Sequence, residues 1–382
     1  MVSSSTTLTA SGDTAVARAP LTRSELRPRT RRISVLHVTD RYGGGVAAAL
    51  HTYLENSPVG IEHHLLAATP DGTGVAAGTR SGFASSRPLP GAWVAQALAL
   101  HSAVRELRPD VVHAHSSMSG VLVRIALRGT RQRIVYSPHC YAFERTDTRL
   151  RPLYRLAERM LLTRSGVTAT CSEWESRLAV EALGAHPDRV RHVPNVAGAG
   201  FRDADDALAP AGSVMSVLGI GRLTAQKDPL RFLDAVERLR GAGVDVDPVW
   251  VGGGDAALAA TLTAAGVTVV PWADHVAVRA RLRAAHVYLH CAAWEGFPLA
   301  LLEAASVGVP VLARQIGPLG ELPDATRLDR GLGGLIRSWH SGAFDVWRAA
   351  NQLEWRTRLA AHTAPAQTTA LRALYEGEPS DA

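Results

Sequence analysis

Of the 41 basic residues in this 382-residue chain, only Lys227 is a lysine. The skew toward arginine, with abundant alanine, is a coding bias. A lysine that persists against it marks a place suited to a compact ammonium, for which the planar guanidinium fork is no substitute. Cysteine is scarce as well. Cys140, Cys171 and Cys291 are odd in number, widely spaced and in no C-x-x-C pair, which excludes a disulfide framework and a cysteine zinc site and points to a reduced, cytoplasmic enzyme. No stretch approaches the roughly 18 consecutive apolar residues of a membrane span. Residues 1–32 are rich in Ser, Thr, Ala and Arg, lack the apolar block of a signal peptide, and are expected to be a disordered tail. What is present, 46% hydrophobic and 20% charged residues, is the composition of a soluble protein long enough for two domains.

Two blocks of alternating strand and helix signals follow the tail. Short apolar runs predict strands at Ile33–Val38, His64–Ala68, Val111–His115, Ile134–Ser137, Val167–Cys171 and Val190–Val193, with helical periodicity between several of them, as in Val94–Leu107. The stretch 197–212, rich in Gly, Ala and Asp, has little apolar pattern and is expected to link the blocks. The second block predicts strands at Val214–Ile220, Pro248–Val251, Val267–Val270, Val287–His290 and Val309–Ala313. Helices are predicted over Pro229–Ala242, Val276–Ala285 and Pro298–Val307, then through Phe344–Ala360 and Thr368–Glu376. The expected architecture is α/β: two facing, doubly wound Rossmann-like domains, residues 33–196 and 213–343, with a cleft between them. Residues 344–382 are expected to form helices that cross back to the first domain.

Two motifs in the second block carry charge. Gly219-Ile-Gly-Arg-Leu-Thr-Ala-Gln-Lys-Asp-Pro229 lies between an apolar strand and an amphipathic helix. Its glycines permit close backbone approach, and Arg222 and Lys227 put two positive charges on one loop, as a diphosphate site requires. Asp228 is expected to cap the next helix and Pro229 to begin it. In the second motif, Trp294-Glu-Gly-Phe-Pro-Leu-Ala-Leu-Leu-Glu303, Pro298 suits a first helical position and Gly308 the residue after the last turn. The amides of Gly296, Phe297 and Leu299 would surround the helix N-terminus. Glu295 on the loop and Glu303 inside the helix could each accept two hydroxyls of a vicinal diol. The plainer alternatives are ion pairing for Arg222, solvation for Lys227 and ordinary cap or helix roles for the glutamates.

With these residues the chain resembles the GT-B fold retaining glycosyltransferases, in particular glycosyltransferase family 4 and its group 1 domain. The E-x7-E pattern matches Glu295 and Glu303, and G-R-x4-K matches Gly221, Arg222 and Lys227. The resemblance implies that Arg222 and Lys227 hold the donor diphosphate, that Glu303 binds the ribose, and that Glu295 is a catalytic-site residue at the donor sugar. It implies a nucleotide-diphosphate sugar as co-substrate, no other cofactor and no essential metal. The family's Gly-Gly-x-x-Glu appears here as Gly317-Pro-Leu-Gly-Glu321, and the stretch Asp324 to Ser338 matches poorly. In the first block, Gly43-Gly-Gly45 opens a helix and resembles the family's glycine loop, which implies donor contacts at Gly44 and Gly45. His139, in Ser137-Pro-His-Cys-Tyr141, resembles the family histidine near the transferred sugar and is the second catalytic candidate. His113 and His115 are read as hydrogen-bonded core histidines.

Ten arginines face three acids between Arg124 and Arg164. There Leu150, Leu153, Tyr154, Ala157, Met160 and Leu161 fall at helical spacing, either as a buried stripe beside solvated arginines or as a surface that docks on anionic lipid at the inner face of the cell membrane. The function implied is retaining transfer of a hexosyl-type group to a glycan, lipid-linked or small-molecule acceptor. A sugar-nucleotide epimerase and a non-catalytic nucleotide-sugar sensor share the architecture. Nucleic-acid binding is not expected, since no aromatics interleave the basic residues.

Overall fold

The computed structural model describes residues 32–68, 81–202 and 212–377. The predicted tail, Arg32 apart, and most of the predicted link lie outside them. Twelve strands among the described residues form two sheets. The first contains β1 Ile33–Thr39, β2 Ile61–Ala67, β3 Ser85–Pro88, β4 Val111–His115, β5 Arg133–Ser137, β6 Val167–Thr170 and β7 Val190–His192, in the order β3-β2-β1-β4-β5-β6-β7. The second contains β8 Met215–Ile220, β9 Val246–Val251, β10 Thr268–Val270, β11 Val287–His290 and β12 Val311–Ala313, in the order β10-β9-β8-β11-β12. All pairings are parallel, in register such as Thr39 with His115 and Ile220 with Val251. In each sheet the order turns back beside its first strand, β1 against β4 and β8 against β11, so a crevice opens beyond the carboxyl ends of those strands.

The helices among the described residues are α1 Gly44–Glu55, α2 Trp93–Leu107, α3 Ser117–Ala126, α4 Arg151–Leu161, α5 Glu173–Arg177, α6 Ala199–Arg202, α7 Pro229–Gly241, α8 Ala256–Ala264, α9 His275–Ala284, α10 Leu299–Val307, α11 Leu328–His340, α12 Phe344–Arg358 and α13 Ala364–Glu376. Central strands are buried on both faces, as their near-continuous apolar runs require. Strand β3 escapes sequence reading because Ser-Ser-Arg-Pro lacks an apolar run: it is an edge strand, half exposed. Helix α11 escapes because two of its thirteen residues form a Gly-Gly pair.

Pro298 is the residue before α10, with φ −75° and ψ 111°, so the helix starts one residue later than expected. Gly308 ends it in the left-handed conformation, φ 86°. The stripe on α4 divides. Tyr154, Ala157 and Leu161 turn inward with buried Glu158, which pairs with fully buried Arg124 at 2.9 Å and accepts from the Tyr136 hydroxyl at 2.7 Å. Leu150, Leu153 and Met160 stay exposed together with Leu156. One of the ten arginines is therefore a core residue, held there by its ion pair. Helix α12 packs on the second sheet, where the Trp355 indole donates to the Val311 carbonyl at 2.9 Å. Helix α13 packs on the first, burying Leu371, Leu374 and Tyr375 beside Val35, Leu65 and Val111.

Candidate active site

Gly221 explains why arginine and lysine stand where they do in the second sheet. Its φ is 150°, and a Cβ there would lie 2.7 Å from Lys227 Cγ. The lysine stem therefore crosses the bare backbone of the residue that follows β8. Gly252 serves the same loop: a Cβ on it would meet the Gly221 carbonyl oxygen at 2.1 Å. Gln226 ties this loop to the next, donating from Nε2 to the Trp294 carbonyl at 3.1 Å while its own carbonyl accepts from Ala293 N at 2.8 Å. Asp228 caps α7 by accepting from Arg231 N at 3.2 Å, and Pro229 opens it. The tie brings Lys227 Nζ onto Glu295 Oε1 in a hydrogen-bonded ion pair.

The expected alternatives are thus exchanged between the two cations. Lys227 is paired with a carboxylate. Arg222, half buried, has no carboxylate partner among the described residues. Burial pulls its pKa down from the usual guanidinium value, the neighbouring Arg41 adds to that, and Glu295 opposes it. Arg41 stands on the loop between β1 and α1, so a charge from the first half of the chain acts on Arg222 in the second, and Arg41 too has no carboxylate partner among the described residues. Sequence reading missed Arg41. Its signal was its place in the first strand–loop–helix turn, two residues before the glycines. Glu303 is 8% exposed. Burial pushes its pKa up to about 8, and Lys227 pulls the other way, so its carboxyl group is largely protonated at neutral pH with the site unliganded.

The loop Glu295-Gly-Phe-Pro298 is held from behind. A Cβ on Gly296 would lie 2.8 Å from Cys140 N, from Cys171 Sγ and from Glu175 Oε1, so only glycine allows this close approach to the first sheet's loops. Phe297 turns away: its carbonyl accepts from Asn195 Nδ2 at 3.0 Å and its ring stacks on His362 at 4.0 Å between centroids. Its side chain is a clamp between α10 and the segment leading into α13. A cavity of about 240 Å³ opens beside it, walled by Trp174, Gly317, Trp355 and His362. None of Arg222, Lys227, Glu295 and Glu303 lines that cavity. The Gly317–Gly320 turn belongs to the same wall.

Across the cleft, Gly44 is the first residue of α1 with φ +54°, and a Cβ on Gly44 or Gly45 would touch nothing within 4 Å. Packing does not demand glycine at 45; the space beside it is open. His139 and Cys140 are both left-handed, φ 50° and 95°, a strain of about 1–3 kcal/mol per residue. Fully buried Glu175, unmarked by any motif, holds this turn by accepting from Cys140 N at 2.5 Å and from Cys171 N at 2.9 Å. His139 Nε2 is hydrogen-bonded to His115 Nδ1 at 2.9 Å, and burial lowers its pKa to about 4, so the ring is neutral near pH 7. His113 and His115 are fully buried. Among the described residues one trio, His37, His113 and His115, has nitrogens within 4.8 Å of one another. All six of those ring nitrogens already face hydrogen-bonding partners.

Comparison with known proteins agrees with this layout. Residues 60–196 match the model of the glycosyl transferase 4-like domain, and residues 215–332 match that of glycosyl transferases group 1. The chain is 27% identical over 241 residues to the UDP-Gal:alpha-D-GlcNAc-diphosphoundecaprenol alpha-1,3-galactosyltransferase of Escherichia coli, covering 57% of this chain and 61% of that enzyme. It therefore spans about three fifths of that relative's length. In structure it is similar to sucrose-phosphate synthase from Thermosynechococcus elongatus, with TM-score 0.70 at 15% identity, covering 90% of this chain and 98% of the other. It is also similar to Anabaena HepE solved with UDP and glucose, with TM-score 0.68 at 14% identity, covering 91% and 100%. With two parallel sheets facing one cleft and both domain models matched in tandem over about two thirds of its length, the chain belongs to the GT-B fold, group 1 glycosyltransferases.

Proposed function

We propose that the protein moves a hexosyl group from a nucleotide-diphosphate sugar to a glycan, lipid-linked or small-molecule acceptor with retention of anomeric configuration. The observation that carries this reading is that half-buried Arg222 has no carboxylate partner among the described residues while Arg41, on the other half of the chain, acts on it as a like charge. Two like charges held together favour an anion between them, and a pyrophosphate supplies it. Transfer builds positive charge on the sugar ring and negative charge on the departing diphosphate. Arg222, Arg41 and Lys227 stabilise that leaving group in place, so no essential metal is required in this reading. Glu303 takes the ribose diol once ionised. Glu295 lies at the donor sugar, where ligand binding redirects Lys227 from it toward phosphate. The amides of Gly44, Gly45, Gly296, Phe297 and Leu299 border the donor.

The acceptor hydroxyl attacks on the face the diphosphate leaves, and its proton passes to the departing phosphate oxygen. His139 borders the transferred sugar through Nδ1, the ring nitrogen that does not meet His115. UDP is the first nucleotide to test, because the E. coli relative's name and the HepE complex both include it. A screen of UDP-, GDP- and ADP-sugars for nucleotide release, followed by assignment of the product anomer, tests the reading. Turnover that inverts the anomeric centre would overturn the mechanism. Donor converted to its epimer without acceptor would replace transfer with epimerisation, and tight donor binding without turnover would leave a sensor.

We also propose peripheral contact of α4 with anionic membrane. Leu150, Leu153, Leu156 and Met160 are exposed there, alongside exposed Arg151, Arg155 and Arg159. Each such arginine contributes about 1 kcal/mol near a charged bilayer. No helix among the described residues is long and apolar enough to cross a membrane.

A further inference from the structure

A file of hydrogen-bonded side chains crosses the middle of the first sheet, from the loop before β2 over β1 and β4 to the loop after β5. At its outer end, Ser57 Oγ meets His63 Nε2 at 2.7 Å. His63 Nδ1 meets His37 Nε2 at 2.8 Å. His37 Nδ1 meets His115 Nε2 at 2.9 Å, and His115 Nδ1 meets His139 Nε2 at 2.9 Å. Ser57 lies past the end of α1, below the amino end of β1, whereas His139 stands beyond the carboxyl end of β5. His37 and His115 are fully buried. Among the described residues no carboxylate side chain is hydrogen-bonded to any ring in the file; burial lowers the pKa of all four rings, and for His37, His63 and His115 neighbouring histidines add to it.

A neutral imidazole carries one N–H and one lone pair. Four rings in series therefore have two self-consistent arrangements. In one, every ring is protonated on Nε2 and donates toward Ser57, leaving a lone pair on His139 Nδ1. In the other, every ring is protonated on Nδ1 and donates toward His139, whose Nδ1–H is then free, while Ser57 donates to His63. No mixed order fits, because it would put two hydrogens, or none, into one bond.

We propose that Ser57, His63, His37, His115 and His139 form a proton relay that carries a proton between the donor-sugar site and the loop at the amino ends of β1 and β2. The step balances. A proton taken by His139 Nδ1 releases the Nε2 proton to His115 Nδ1. His115 passes its own to His37, His37 to His63, and His63 Nε2 protonates Ser57 Oγ as the hydroxyl's former proton leaves to solvent. Each ring gains and loses one proton and ends neutral, protonated on Nδ1; once the cleft opens, the reverse passage, with a proton entering at Ser57 and one leaving His139 Nδ1 to water, restores the first arrangement. The role rests on the transferase reading: the proton that the acceptor hydroxyl passes to the departing phosphate oxygen is handed on to His139 Nδ1 and so has an exit from a closed cleft. His115, His37 and His63 are then positioning residues acting through His139.

The first test needs no activity. In full-length protein labelled with 15N in its histidine rings, the ring N–H of buried His37 and His115 should exchange with D2O much faster than the backbone amides of β1. Exchange only at the β1 rate overturns the relay even if transferase activity is found. Fast exchange in a protein that turns over no sugar nucleotide would leave the relay standing and remove the transferase reading. The second test is kinetic. His37→Asn should lower kcat about a hundredfold, as loss of an assisted proton transfer does, with donor KM unchanged and a smaller solvent deuterium isotope effect. Ser57→Ala, at the partly exposed end, should act in the same direction and serves if His37→Asn does not fold. Unchanged kcat in both variants, or a rise in KM alone, overturns the role. So does a 1:1 zinc titration that displaces ring protons from His37, His113 and His115.

Discussion

The two walls of the cleft are built on opposite electrostatic plans. The second sheet's wall concentrates charge on short loops, where Arg222, Lys227, Glu295 and Glu303 crowd one helix tip. The first sheet's wall contributes Arg41, glycine and a file of uncharged imidazoles. Charge is steep on one side and relayed on the other. Such a division suits a reaction in which the leaving group needs fixed countercharge while the incoming hydroxyl needs its proton removed without a new charge beside the sugar.

The largest expected effect tests the charged wall. Replacing Arg222 and Lys227 together with Ala should reduce kcat/KM for the donor by about a thousandfold or more, since each is a preorganised group worth about 10²–10³ in rate. Lys227→Ala alone should cost less, because it also frees Glu295 from its ion pair. A folded double variant with unchanged kinetics would remove the site assignment. Arg41→Ala sharpens the comparison: if the first wall shares the diphosphate load, its loss should approach that of Arg222→Ala.

Next in size is the pH dependence of donor binding. With its pKa near 8 in the free protein, Glu303 must lose a proton to take the ribose diol. Donor affinity should then rise up to tenfold per pH unit below about 8 and level off above it. Calorimetry between pH 6.5 and 8.5 reads this directly, and Glu303→Gln should flatten the slope. Glu144, pushed up to about 7 mainly by burial and bonded to the Trp174 indole at 2.5 Å, titrates nearby. Glu144→Gln is the control that should leave the slope in place.

Gly296→Ala probes the seam between the walls. Its Cβ would press on Cys140 N, Cys171 Sγ and Glu175 Oε1, each 2.8 Å away; the first is backbone, and the Glu175 carboxylate is held by the Cys140 and Cys171 amides. Overpacking of this kind costs about 1–3 kcal/mol. A lower melting temperature with a raised donor KM is expected, because the loop that carries Glu295 must retreat. Wild-type values for both would mean that the loops separate freely.

What the sequence made legible follows the same division. Strands with unbroken apolar runs, the Asp228-Pro229 helix start and the Gly308 stop could be read because local chemistry decides them. The Arg222 to Lys227 spacing could be read because one loop carries both charges. The Lys227–Glu295 pairing could not, since residues 68 positions apart meet only through the tie made by Gln226. Arg41, Glu175 and the histidine file were hidden for the same reason. His37, His63 and His115 sit on three different strands, and only the parallel register lines up their rings. A single strand offers no sign that its histidine has a neighbour.

The smallest expected effect concerns the outer surface of the first wall. Tyr154, Ala157 and Leu161 turn inward beside the buried Arg124–Glu158 pair, whereas Leu153, Leu156 and Met160 are left in water at 57%, 53% and 67% exposure. That patch lies beside arginines rather than acids, which favours an anionic bilayer over a neutral one. In pelleting with vesicles of anionic phospholipid at low salt, the protein should sediment, and Leu153→Asp with Met160→Asp should weaken binding about tenfold while leaving turnover of a soluble acceptor unchanged. Equal binding to neutral vesicles would assign the contact to apolar surface alone. No binding at low salt would make α4 an ordinary solvated helix, and the two walls would then differ only inside the cleft.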